Sequence, residues 1–205
     1  MPSAWHNRLM RAVAVRLFVL TMLIGGAAAS PASAQTSDPR APALVFGVFG
    51  GPGRRATSGT FDASTLPDDA GQPSGRTTAT LGLHAGVKFL DRVAAMAVWD
   101  QTWQGDSAGG KWGSFTLHAV GRVWITRHLW VEGGGGVSEL GFRPANEANP
   151  EISRFWAPGG QASVGGDVLQ GRRVAVTVAA RYSTATFNGL TINDVVVQVG
   201  LFGRR

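Results

Sequence analysis

Two imidazoles and a carboxylate, His84, His118 and Asp100, are of the types that bind a metal or relay a proton. They fall far apart along the chain, without the close ligand spacing of a metal motif. Polar side chains facing a common interior account for them, so no metal and no cofactor is expected. The run Gly133 to Gly136 has the composition of a phosphate-cradling loop. It lacks the Gly-Lys-Ser/Thr ending and lies in a strand pattern, which points to glycine in a sheet wall. Arg122, Glu132, Lys88, Asp167 and Arg181 form a third group. A charge in a narrow interior is costly unless paired, so these residues are expected to make an internal polar network. Were the network to leave gaps, they would line a small pore instead.

The elements that position these residues begin after a removable segment. Arg8, Arg11 and Arg16 precede the apolar run Leu17 to Ile24, then small residues, then Ala32-Ser33-Ala34 before Gln35. That is the plan of a secretory signal peptide over residues 1–34, and the apolar run is shorter than the ~20 residues of a spanning helix. Residues 35–42 read as a short polar leader and 43–205 as one domain. Three of the 19 basic residues lie in the signal, which leaves 16 basic against 13 acidic. So small an excess on an exported chain gives no reason to expect nucleic acid. The absence of cysteine removes disulfides and a lipid-modified amino terminus alike. No later apolar run approaches a helical span, so a membrane location requires a barrel.

Beyond the leader the apolar period is two. It predicts eight strands near 43–52, 77–89, 93–103, 114–126, 129–140, 159–169, 173–185 and 191–202. Connections at Leu90-Asp91-Arg92, around Arg127 and at Gln170-Gly171-Arg172 are tight. Those at 53–76, 104–113 and 141–158 are long, and the last, 186–190, is modest. In an antiparallel meander the tight turns gather at one end and the long loops at the other, the asymmetry of bacterial outer-membrane barrels.

Folding the hairpins tests this layout. With Phe89 opposite Val93, one face carries Leu81, Leu83, Val87, Ala95, Ala97 and Trp99; the other carries Thr80, His84, Lys88 and Asp100. Centring the next hairpin on Arg127 sets Arg122 across from Glu132, about 5 Å apart at Cβ. The third hairpin sets Val164, Val174, Val176, Val178 and Tyr182 on one face and Gln161, Asp167, Thr177 and Arg181 on the other. A soluble barrel with its apolar face inward shares such alternation and is the alternative. The signal peptide, a polar face rich in Gly and Ser, and aromatic placement favour an outward apolar face. Trp99, Trp103, Trp112, Phe115, Trp156 and Tyr182 fall towards the long loops, where a membrane-interface girdle belongs. Trp124 and Trp130 lie by a tight turn, also suited to a girdle, although the register turns both inward.

The segments LGLHAGVKFLDRVAAMAVWD (81–100), HAVGRVWITRHLWVEGGGGVS (118–138) and NDVVVQVGLFGRR (193–205) resemble the hairpins and closing strand of small OmpA-type and OmpX-type barrels. The resemblance implies an all-β, eight-stranded antiparallel up-and-down transmembrane barrel in the outer membrane. It further implies a monomer surrounded by outer-membrane lipid, with a side-chain-filled lumen. The chain departs from the group where Gly203-Arg204-Arg205 follows Phe202, because such barrels often end on an aromatic residue. No peptidoglycan-binding module is expected after the barrel. Some small barrels are lipid A deacylases with a His-x-Ser-Asn-like stretch; the corresponding RYSTATFNGL (181–190) has Thr184 and Thr186 and no histidine base. No enzyme is therefore expected. The expected role is structural or surface interaction through loops 53–76 and 141–158, since binding sites collect on loops held by a rigid scaffold. The alternatives are a narrow pore and, third, a soluble periplasmic barrel holding a small ligand.

Overall fold

In the computed structural model, residues 43–60, 77–105, 111–143, 153–171 and 173–204 are described. The expected signal peptide and leader lie outside them. Eight strands run in order: β1 Ala43–Ser58, β2 Thr77–Leu90, β3 Val93–Gly105, β4 Lys111–Trp124, β5 Leu129–Arg143, β6 Ser153–Gln170, β7 Val174–Phe187 and β8 Leu190–Arg204. Each pairs antiparallel with the next, and β1 pairs with β8, so the sheet closes into an eight-stranded up-and-down barrel. Closure leaves no free sheet edge, and every strand can satisfy its backbone from both sides.

The register fixes the barrel's dimensions. One circuit from Gly47 passes through His84, Val98, His118, Gly136, Gly159, Ala185 and Ile192 and returns to β1 at Thr57. The return point lies ten residues beyond the start. Eight strands with that shear tilt about 40° and enclose a radius of about 8 Å, narrow enough for side chains to fill.

Alternation sets the two faces. Outward are Phe46, Val48, Leu81, Val87, Val123, Val131, Val137, Val164, Val178, Val197, Val199 and Leu201, all exposed. The buried charged and amide side chains point inward. This inverts a soluble barrel: Leu201 is 57% exposed while Arg122 and Arg55 are fully buried.

Three local expectations are corrected. The strands run further than expected into 53–76 and 141–158, reaching Ser58, Arg143 and back to Ser153, so only 59–76 and 144–152 connect them. Pro52 and Pro158 are tolerated in these extensions. Pairing with β8 skips Gly51 and Pro52 and resumes at Gly53, while Pro158 pairs with Val137 of β5 just before the ladder to β7 begins. Phe89 does not face Val93, because Leu90 pairs with Val93 across an irregularity between Lys88 and Leu90; from Lys88↔Ala94 onward the expected register resumes. The final connection is only Asn188-Gly189, both at positive φ (45° and 89°), with Phe187 paired to Leu190. That is the Asn-Gly two-residue hairpin turn.

Candidate functional site

The lumen is where the chemistry-bearing residues converge. The structure places His84, Asp100, His118, Arg122, Glu132, Asp167 and Arg181 on its inner wall, each buried. Lys88 is half-buried at the tight-turn end, its Nζ 5.7 Å from the Trp124 ring.

Among the described residues, three arginine–carboxylate pairs are stacked along the axis. Nearest the tight turns, Arg122 Nε and Nη2 donate to Glu132 Oε2 at 3.0 and 2.7 Å. Cross-strand opposition set by the turn around Arg127 brings the two together. Further along, Arg181 pairs with Asp100. Nearest the loops, Arg55 Nε and Nη2 donate to Asp194 Oδ1 and Oδ2 at 2.8 and 2.7 Å, and Nη2 also donates to Ser114 Oγ at 2.7 Å. This fork across a carboxylate is the strong, directional form of the arginine–carboxylate pair.

Neutral groups extend the network around the first pair. Gln161 Nε2 donates to Glu132 Oε1 at 3.2 Å, and its Oε1 accepts from His118 Nδ1 at 2.9 Å. Arg122 Nη2 reaches His84 Nδ1 at 3.4 Å, and the His84 ring stacks on Phe49 at 4.4 Å. Asp167 accepts from Thr177 Oγ1 at 3.0 Å and from Gln170 Nε2 at 3.1 Å. His84 and His118 thus flank the same pair, His84 through Arg122 and His118 through Gln161.

Apolar clusters lie towards both ends. At the tight-turn end Val45, Phe49, Met96, Val98, Val120, Trp124, Trp130 and Phe202 pack together. At the loop end the cluster is Trp112, Leu140, Phe142, Ala157, Ala185, Phe187, Leu190 and Ile192. The girdle expected from Trp124 and Trp130 is therefore corrected: both indoles are buried inside. Their register allows nothing else, and their π faces meet Arg122, whose guanidinium lies 3.7 Å from the Trp130 centroid and 5.7 Å from that of Trp124. Trp112 also turns inward, against Phe142 at 4.8 Å. Trp103, Trp156 and Tyr182 are exposed on the outer wall, with Trp99 and Phe115 half-buried there. Phe115 makes edge contacts to Trp99 and Trp156 at 6.1 and 6.3 Å.

Glycines make room for this filling. A Cβ on Gly165 would collide with the Trp130 indole, and one on Gly82 with the Asp100 carboxylate. Within the Gly133–Gly136 run, a Cβ on Gly134 or Gly136 would collide with the backbone of β4, which accounts for two of its four glycines. A cavity in the lumen, lined by Ser114, Thr116, Ser138, Ser183, Phe187, Ile192 and Asp194 among others, measures about 20 Å³. That is room for about one water.

Arg55 and Asp194 were not among the residues expected here. Pro52 and its neighbouring glycines resemble a strand end, yet Val45, Phe49 and Arg55 are in one phase, and that phase was the available signal.

No protein-family model matches the sequence, and comparison with curated protein sequences finds no match. Solved structures do match in fold. The attachment invasion locus protein Ail of Yersinia pestis superimposes with a TM-score of 0.53 at 12% identity, over 77% of this chain and 97% of that one. Ail has also been solved in complex with the heparin analogue sucrose octasulfate, and that structure matches with a TM-score of 0.53 at 11% identity, over 78% and 98% of the two chains. Neisserial surface protein A gives 0.51 at 12% identity over 77% and 96%. The chain thus has the fold of small eight-stranded outer-membrane barrels.

Proposed function

We propose that this protein resides in the outer membrane and crosses it as a monomeric barrel with a closed lumen. Its role is structural or surface-interacting, carried by the loops between β1 and β2 and between β5 and β6, with no catalytic step. The inverted distribution of polarity carries the reading: an apolar wall outside, and buried ion pairs inside. On β7 the outward set from Val174 to Tyr182 spans nine residues. At a tilt of about 40° that rises about 20 Å along the axis, most of the ~25 Å apolar band of such barrels. Trp103 and Trp156 lie loopward of it, where the bilayer meets water.

The closed lumen argues for structure over transport. Among the described residues each of the three buried arginines holds a carboxylate, and apolar clusters lie towards both mouths. A narrow pore would need these contacts opened. For the loops, the sulfated ligand bound by Ail favours surface recognition over a purely mechanical role.

Planar-bilayer recording of the refolded protein, alongside fractionation of the envelope, tests the proposal. A heat-modifiable band in the outer-membrane fraction with no channel events is expected. Steady single-channel steps would replace it with the pore reading, and recovery in the periplasm would replace it with the soluble one.

A further inference from the structure

Outside the lumen, the loop end of the outer wall carries an unbalanced set of charges. Arg54, Lys111, Arg143 and Arg154 are exposed there. The sole described acid among them, Glu139, is engaged by Arg154 at 3.3 Å. Lys111 and Arg143 are direct cross-strand partners on β4 and β5. Their odd positions put both on the outer face, where like charges directly opposite each other are unfavourable. Neither has an ion-pair partner among the described residues.

On the other side of Lys111 lies a cleft of the described surface. It is about 590 Å³ in volume, lined by Pro52, Thr77, Thr78, Ala79, Trp103 and Gln104 as well as Lys111 itself. Its lining is graded. Lys111 is the loopward end of β4, whereas Pro52, Ala79 and Trp103 lie nearer the apolar band. Arg54, paired with Thr77, borders the cleft from β1. A cationic rim above an apolar floor has the polarity of one amphiphile standing in the outer leaflet: an anionic head loopward, hydrocarbon towards the barrel's middle. The volume also lies within the ~300–1,000 Å³ of ligand sites.

We propose that this cleft is a binding site for a phosphorylated outer-leaflet lipid. The headgroup phosphate lies on Lys111 at the loopward edge of the cleft, with Arg143 alongside it on β5, a sugar or glycerol unit rests against Trp103, and an acyl chain runs over Ala79 and Pro52. The phosphate removes the repulsion that the β4–β5 register imposes, and Arg54 adds a second cationic wall. The proposal rests on the reading that the apolar wall faces lipid, and its test separates the two.

The full barrel is reconstituted into phosphatidylcholine nanodiscs with and without 10 mol % diphosphoryl lipid A. Insertion is scored by heat-modifiable migration, and retained lipid is counted by native mass spectrometry after release into detergent. Wild type is expected to retain one lipid A. A juxtamembrane charge near an anionic surface is worth ~1 kcal/mol, so Lys111→Gln and Arg143→Gln should each lower retention about fivefold, and the double variant about 25-fold. Arg154→Gln, whose arginine is held by Glu139, should stay within about twofold of wild type. Equal retention by wild type and the double variant, both inserted, overturns the site while leaving the membrane reading intact. So does an equal loss for Arg154→Gln, because the collar would then act as diffuse charge. Failure of wild type to insert in either nanodisc overturns both.

Discussion

Replacing Glu132 by Leu should be among the most destabilising single changes available in this barrel. The carboxylate receives two hydrogen bonds from Arg122 and one from Gln161, and both ion-pair side chains are fully buried. At 2.7 Å and an effective dielectric constant of 20, the pair attraction is about 6 kcal/mol. Much of that offsets desolvation, so the net loss on removing one partner is about 3–5 kcal/mol, the cost of a buried charge left alone. The aromatic contacts of Arg122 to Trp130 and Phe202, at 3.7 and 4.6 Å, cannot compensate, since each contributes about 1–2 kcal/mol and is already present. Replacing both partners together, Arg122→Met with Glu132→Leu, removes the charges as well as the attraction. The double variant should then lie within about 2 kcal/mol of wild type. Guanidinium unfolding in zwitterionic micelles reads this directly, with Trp124 and Trp130 emission reporting on the cluster around Arg122. A single variant as stable as wild type, or a double variant as weak as the single, would refute the assignment of Arg122–Glu132 as a buried, mutually dependent pair.

Three further outcomes follow from the same geometry. Val197→Arg, on the outer face of β8, should cost about 2–4 kcal/mol in bilayer-refolding titrations, whereas Thr186→Arg at the loop end should cost about 0–1 kcal/mol. Gly165→Val should displace the Trp130 indole and cost about 1–3 kcal/mol in micelle unfolding, with a shift in Trp emission. Gly189→Ala, at φ 89°, should destabilise by about 1–2 kcal/mol by the same unfolding assay, while Asn188→Gly is tolerated to within about 0.5 kcal/mol.

The parts of this barrel that were legible in sequence are those fixed by a short turn. The turn around Arg127 sets β4 against β5, so opposition of Arg122 and Glu132 follows from counting residues. Period-two alternation then assigns every neighbour to a face, including Trp124 and Trp130. Their aromatic character argued for a girdle, but a face follows from register and a preference only from residue type. The Arg55–Asp194 pair was hidden because it joins β1 to β8, the closing seam, and no turn connects those strands. Pro52 concealed it further by imitating a strand end. The apolar clusters depend on which inward residues share a level round the axis, and that requires the shear of the whole barrel. Trp112 and Leu190, far apart in sequence, meet for this reason alone. The bulge that displaces Phe89 had no signal beyond a two-residue turn, Asp91-Arg92, flanked by apolar residues.

The absence of cysteine makes the central claim, an apolar wall facing lipid around a closed interior, open to a site-directed depth profile. Single cysteines at Thr191, Asn193, Val195, Val197, Val199 and Leu201 place spin labels down the outward face of β8, and one at Gln198 probes the lumen. Collision rates with oxygen and with a water-soluble nickel chelate are measured in phosphatidylcholine vesicles. The account predicts high oxygen and negligible chelate accessibility from Val195 to Leu201, a rise in chelate accessibility at Asn193 and Thr191, and neither reagent reaching residue 198. Chelate accessibility along the whole outward face, or at Gln198, would contradict it.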